Sequence, residues 1–324
     1  MAEKVKLDIC VASYPFTDAV LNGSIPIEGV EPNFIKVVPQ IGAFRRMVRN
    51  VEFDVCEVAP TTYIIARAYG APFVALPIFV MRRFHHGGFL VRPDKNIKHP
   101  KDLEGKKAGV RAYSVTTGVW TRGIFQTEYG LDDSKVTWVV DDEEHVTQMP
   151  LPSNVIHAAK GVSLADMMDS GELVAGFDGN AGIGRSGDPN SGTWKEIKQD
   201  YPELIQNVEQ VEADWFKKTG IYPMHGTLTV KDSVLKANPW VARSLYNAFD
   251  QAKQDWLKKL KAGEATTATD KRYLKLMPVV GDPIPYGMEE NLPTIKALEA
   301  IAFSQKLTPR RMAIDEIFVD PKKV

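Results

Sequence analysis

The stretch Phe53–Gly70, FDVCEVAPTTYIIARAYG, decides the fold. FDVCEVA is a short apolar run of strand length, and TTYIIARAYG is a helical pattern closed by Gly70. Upstream the same alternation is already running. KLDICVA (6–12) and NFIKVV (33–38) read as strands, and IGAFRRMVRN (41–50) reads as a helix with Phe44, Met47 and Val48 on one side. A β-α-β-α order of this kind predicts an α/β unit with a largely parallel sheet. FVALPIFV (73–80) and GGFLVR (87–92) supply two further strands.

After Pro93 the chain turns polar in PDKNIKHPKDLEGKKAGVR, with a short helix over HPKDLEG and a new strand at KAGVR. The helix SVTTGVWTRGIFQTEYG, the strand VTWVVD, the helix VSLADMMDSG, the strand ELVAGFD and a glycine-rich stretch, GNAGIGRSGDPNSG (179–192), build a second α/β unit. Beyond TGIYPMHGTLTV the chain becomes helical. NPWVARSLYNAFDQAKQDWLKKLKAG (238–263) is the clearest amphipathic helix, with Trp240, Leu245, Phe249 and Trp256 near helical spacing. The expected organisation is a discontinuous first lobe, 1–93 plus 222–324, and a second lobe, 94–221, with a ligand cleft between them.

Composition narrows the function. The chain has 324 residues and is 44% hydrophobic, enough for two cores. Its 40 Lys+Arg against 41 Asp+Glu give a net charge of −1, which excludes a nucleic-acid surface built on excess positive charge. No run approaches the roughly 18 apolar residues of a membrane span, and the amino terminus lacks the apolar core of a secretory signal. The expectation is a cytoplasmic protein. Its two cysteines, Cys10 and Cys56, sit in apolar runs and read as small buried hydrophobes.

Against this neutral background stands a local basic cluster, Arg82-Arg83-Phe84-His85-His86-Gly87-Gly88. Read as a strand entry, it puts Phe84 and His86 on one side and His85 on the other. Two histidines on opposite faces do not share a metal, and no spaced His/Asp/Glu set occurs elsewhere, so neither a metal nor another cofactor is expected. Gly87-Gly88 leaves room for a ligand or another backbone. Glu57, at the carboxyl end of its strand, either pairs with Arg82, hydrogen-bonds a substrate hydroxyl or caps the following helix. Arg111-Ala112-Tyr113-Ser114-Val115-Thr116-Thr117 joins a strand to a helix, where exposed N–H groups and hydroxyls form a natural anion seat. Asp178 and Asn180 follow the strand ELVAGF at the equivalent place. His225 and Thr227 stand where the chain recrosses.

HPKDLEGKKAGV, followed by a helix with Ser and Thr at its start, resembles the second-lobe entry of the type II periplasmic-binding-protein fold, and several blocks, in one order, resemble a known family: FRRMVRNVEFDVCEVAPTTYIIARAYG, RRFHHGGFLV, VWTRGIFQTEYG, NPWVARSLYNAFDQAK and PYGMEENLPTIKALEAIAFSQKLTPRRMAIDEIF. Together they resemble the 4,5-dihydroxyphthalate decarboxylases, cytoplasmic enzymes built on the type II periplasmic-binding-protein fold. The resemblance implies a cofactor-independent decarboxylase of a small aromatic dicarboxylate, and it permits a homo-oligomer. By resemblance Arg82 and His86 match positions the family retains; in the expected reaction His86 is the acid at the ring carbon, with Glu57 or His225 as the base on the hydroxyl. Arg82, Arg111, Tyr113, Ser114, Thr116 and Thr117 would hold the retained carboxylate, with Tyr14, Asp178 and Asn180 beside the substrate. The chain departs from the family pattern at Ser13–Asp18, at Gly179–Gly182 with Arg185 further on, and at His225, which stands one residue early. The alternative expectation is a non-catalytic solute-binding protein for an aromatic or small organic acid.

Overall fold

The computed structural model describes residues 4–187 and 195–324; the tail of the glycine-rich stretch lies outside the described residues. Strands Val5–Cys10 (β1), Val30–Phe34 (β2), Val55–Val58 (β3), Phe73–Ala75 (β4) and Met81–Arg82 (β5) come first. Phe89–Val91 (β6), Lys107–Gly109 (β7), Thr137–Val140 (β8), Val155–His157 (β9) and Ala175–Phe177 (β10) follow, then the short pair Arg185–Ser186 (β11) and Lys195–Glu196 (β12). Met224–Lys231 (β13) is the returning strand.

The chain divides into two compact units. The first holds Met1–Arg83, Phe216–Glu299 and Arg310–Val324, and the second holds Phe84–Trp215 and Ala300–Pro309. These limits differ from the lobes expected at 93/94 and 221/222. β6 pairs antiparallel with β10 and so belongs to the second sheet, which carries GGFLV across. Trp215 lies edge-on to Phe84 and His86, which keeps helix Val208–Thr219 in the second unit as far as Trp215. Residues 300–309 join that unit as well: Gln305 accepts from Arg122 Nε at 3.0 Å, and Ile301 fills the space left at Gly123.

In the first unit the sheet order is β2-β1-β3-β13-β4, with β5 also on β13. β1 runs parallel to β2 and β3, whereas β13 is antiparallel to β3, β4 and β5. All four residues of β3 are buried, as a central strand covered on both faces requires. The second strand begins earlier than NFIKVV suggests, because Val30 pairs with Val5 and the register ends at Ile9 and Phe34. Pro32 is accommodated there because β2 is an edge strand and its missing N–H breaks no ladder. Helix Val241–Lys261 buries Leu245, Ala248, Phe249, Ala252 and Trp256 against this core. Trp240 is instead a half-exposed cap whose ring covers Gly29.

The second unit has sheet order β6-β10-β7-β8-β9, parallel except for β6. Helix Thr116–Tyr129 buries most of its length, including Trp120 and Arg122. The stretch from Arg83 to Gly88 is not a strand: β5 ends at Arg82 and β6 starts at Phe89. Strand alternation therefore does not separate the two histidines, and both are buried. Among the described residues no helix is long and apolar enough to cross a membrane, and no group of three His, Cys, Asp or Glu is placed to hold a metal ion.

Candidate functional site

In the first unit the chemistry gathers at Glu57. β3 carries its carboxyl into the interior, where it is 2% exposed. Oε2 accepts from the Ala12 N–H at 3.0 Å, and Oε1 accepts from the Tyr14 hydroxyl at 2.8 Å. Burial raises Glu57 to about 7, although these two donors pull in the opposite direction. Burial, and then the facing carboxyl, hold the Tyr14 hydroxyl far above its ordinary range. Tyr14 is itself fixed by stacking on Phe16, with ring centroids 5.3 Å apart.

Gly226 on β13 passes directly over this carboxyl. A Cβ there would lie 2.9 Å from Glu57 Oε1, so only glycine allows the approach. A lone glycine between His225 and Thr227 is the sequence signal that announces such a contact. The neighbouring His225 falls at a register shift where β13 pairs with β5, between Met224 and Gly226. Bulges of this kind re-aim a side chain. His225 Nε2 stands 3.3 Å from an Arg83 guanidinium nitrogen. Guanidinium only donates, so Nε2 accepts and the ring proton sits on Nδ1. Burial, with the charges of Arg83 and Arg272, holds His225 well below the usual histidine range.

Arg82 is placed otherwise than expected. Its guanidinium is fully buried in the first unit, where it donates to the Tyr222 carbonyl at 2.6 Å, the Pro285 carbonyl at 3.3 Å and Asn291 Oδ1. It also lies over the rings of Phe79 and Tyr222. Both terminal nitrogens of its fork are thus engaged by the fold, while Nε has no hydrogen-bond partner among the described residues. Burial pulls it down to about 10.

In the second unit the anion seat exists, and the protein fills it. Tyr113 N–H donates to Glu144 Oε1 at 2.5 Å, Ser114 N–H to Oε2 at 3.2 Å, and the Ser114 hydroxyl to Oε2 as well. The expectation that Tyr113 and Ser114 receive a substrate carboxylate therefore meets an internal carboxylate already seated there. Thr116 and Thr117 open the helix itself and are buried. Arg111 donates to Asp142 Oδ2 at 3.1 Å, and Arg185 pairs with Asp141 at 2.5 Å. These form a buried network on the segment after β8. The sequence gives no periodic hint of Glu144, which arrives from an irregular segment.

His86 is 1% exposed and lies edge-on to Trp215, with ring centroids 4.9 Å apart. Glu212 Oε1 stands 3.9 Å from His86 Nδ1, and neither ring nitrogen has a hydrogen-bond partner among the described residues. Burial pulls His86 down to about 4 and pushes Glu212 up to about 7. Glu212 and Trp215 are three residues apart on helix Val208–Thr219, the spacing that puts both on one face. Asp178 is exposed; its side chain caps Gly179 N–H at 2.7 Å, and its own N–H donates to the Gly88 carbonyl at 2.9 Å. Asn180 is exposed in the turn that follows. The structure thus brings Tyr14 and Glu57 together in the first unit, and the Asp178 turn alongside the His86–Gly88 loop in the second.

Known proteins supply the remaining evidence. The profile of the NMT1/THI5 like family matches residues 28–259. A 4,5-dihydroxyphthalate decarboxylase of Pseudomonas putida is 32% identical over 222 residues, covering 66% of this chain and 82% of its own length. The chain belongs to the 4,5-dihydroxyphthalate decarboxylase family. A second protein of that name, from Comamonas testosteroni, is 28% identical over 338 residues, covering 97% of this chain and 96% of its own. The fold is that of the periplasmic binding proteins. The alkanesulfonate-binding protein SsuA from Xanthomonas axonopodis pv. citri, bound to MOPS, has a TM-score of 0.53 and 13% identity over 98% of this chain and 99% of its own. The desulfurization enzyme DszB has a TM-score of 0.50 and 14% identity over 97% and 96%. The family and the fold expected from the residues are therefore found.

Proposed function

We propose that this member of the family is a decarboxylase of an aromatic dicarboxylate such as 4,5-dihydroxyphthalate, working without a cofactor. What carries the proposal is Glu57: a buried carboxyl, held by Tyr14 and Ala12, that keeps its proton up to about pH 7. The relatives named above supply the substrate class.

Loss of CO2 directly from a ring would leave an aryl anion. The route around it removes a proton from the hydroxyl para to the departing carboxylate, so that the oxygen becomes a ketone and the ring carbon accepts a proton. The C–CO2 bond then breaks, its electron pair restores the aromatic ring, and the phenoxide regains its proton. One proton is consumed overall. An acid and a base, each charged correctly near neutrality, are needed.

Burial decides which group takes which role. Glu57, raised to about 7, is a proton donor near neutral pH, whereas His225 and His86, both lowered, are neutral imidazoles there and so hold a lone pair that can take a proton. This exchanges the parts expected from the family-based reaction, in which His86 is the acid at the ring carbon and Glu57 a base on the hydroxyl. In this scheme His225 Nε2, the one basic nitrogen of a ring protonated at Nδ1, takes the hydroxyl proton once the substrate hydroxyl displaces Arg83 from it. His86 remains a proposed second base, so His86→Ala should abolish turnover and leave folding intact. The test is incubation with 4,5-dihydroxyphthalate, with and without a chelator, following CO2 and 3,4-dihydroxybenzoate. Thermal stabilisation by the ligand without product would make the chain a solute-binding protein instead. Loss of product with chelator would overturn the cofactor-free scheme.

A further inference from the structure

β1 and β2 are parallel and in register to Ile9 and Phe34, so their carboxyl ends finish side by side. The segments that leave them line an open pocket of about 380 Å3, within the roughly 300–1,000 Å3 typical of small-molecule sites. Its walls are largely apolar, with Val11, Phe34, Ile35 and Val37 among them, while Lys36 and Gln40 contribute the polar ends. Lys36 is exposed and makes no ion pair among the described residues. An exposed lysine is ordinarily a solvated charge and nothing more. This one borders an apolar pocket at the strand ends where open α/β sheets take their ligands.

Two further facts make the pocket more than a surface hollow. Ala12 lines it, and the Ala12 N–H is the group that holds Glu57 Oε2 at 3.0 Å, so the wall stands one residue from the proposed acid. The arginines and amides the sequence nominates for a carboxylate are already engaged, Arg82 by carbonyls and Asn291, Arg111 by Asp142, and the Tyr113–Ser114 amides by Glu144. A carboxylate-bearing substrate must find its cation elsewhere.

We propose that this pocket is the substrate's ring subsite and that Lys36 is the cation that receives the retained carboxylate. The proposal rests on the decarboxylase reading for its choice of ligand, an aromatic ring bearing a carboxylate. The ammonium serves as a point charge on a flexible stem, and the apolar walls take the ring faces. Neither interaction needs a metal.

The test is calorimetric titration of the full chain with phthalate, which lacks the hydroxyls needed for turnover, alongside activity on 4,5-dihydroxyphthalate. Lys36→Met should weaken phthalate binding at least tenfold and raise KM with kcat held within threefold, whereas Lys36→Arg should stay within threefold of the parent in affinity. Val37→Trp, which fills the pocket without touching charge, should also weaken binding at least tenfold. Lys36 is exposed, so its replacement leaves the fold intact, and thermal melting checks this. Phthalate affinity unchanged to within twofold in Lys36→Met, or a parent protein that does not bind phthalate, would overturn the subsite. Binding through Lys36 without turnover would sink the decarboxylase reading and leave the subsite standing. Turnover indifferent to Lys36 and Val37 would do the reverse.

Discussion

Replacing Glu57 with glutamine should stabilise the protein above neutral pH while abolishing turnover. Burial raises the Glu57 carboxyl from 4.5 to about 7. At about 1.4 kcal/mol for each pKa unit, the fold disfavours the ionised form by about 3 kcal/mol. The sign follows from proton counting. Between those two pH values the folded chain holds a proton that the unfolded chain has released, so stability falls as pH rises and the whole penalty is present above about 7. Glutamine is neutral at every pH and fits the same site. Its oxygen can accept from Ala12 N–H, and its amide can donate to the Tyr14 oxygen once that hydroxyl turns away from the site. Urea unfolding of the parent and Glu57→Gln at pH 4, 6 and 8 should show curves that agree at pH 4 and diverge by about 1–3 kcal/mol in favour of the variant at pH 8. A difference that stays flat with pH, or a variant less stable at pH 8, would refute a buried carboxyl titrating near neutrality.

Three other outcomes follow from the same geometry. Arg82→Met should cost about 3 kcal/mol in denaturant unfolding, because the Tyr222 and Pro285 carbonyls and Asn291 Oδ1 lose a buried donor; its folded fraction should bind phthalate as the parent does. Glu144→Ala should destabilise the protein by about 2 kcal/mol by emptying the seat at Tyr113 and Ser114, and sulfate should restore part of the loss in a melting assay, with no sulfate effect counting against an anion seat. Gly226→Ala places a methyl 2.9 Å from Glu57 Oε1, so turnover should fall at least tenfold while far-UV circular dichroism is unchanged.

Much of the fold was legible because alternating strand and helix patterns are strong local signals. The helix over 41–50, the helix closing near Gly70 and the amphipathic helix after Asn238 all stand where their apolar spacing puts them. Register was less legible. NFIKVV looks more strand-like than VEPNF, yet pairing with Val5–Ile9 selects the latter, since tertiary partners outrank local composition. The Arg83–Gly88 segment reads as strand entry by sequence, but the chain leaves one sheet after Arg82 and joins the other at Phe89.

At the site, Glu57 was visible as an acid at a strand end, and Tyr14 only through family resemblance. The partners that decide function were hidden because they come from far along the chain. Asn291 lies 209 residues from Arg82, and Glu144 lies 30 residues from Ser114. No local pattern signals that an arginine or a helix start is already satisfied, so both looked available to a ligand. Only Gly226 carried a readable clue, an isolated glycine inside a strand beside a histidine.

The most direct test of the central claim is to incubate the purified protein with 4,5-dihydroxyphthalate and measure CO2 and 3,4-dihydroxybenzoate together. Equimolar release of the two, absent in Glu57→Gln, is the predicted result. A ligand that raises the melting temperature but returns unchanged, or product formation that Glu57→Gln leaves intact, would contradict it.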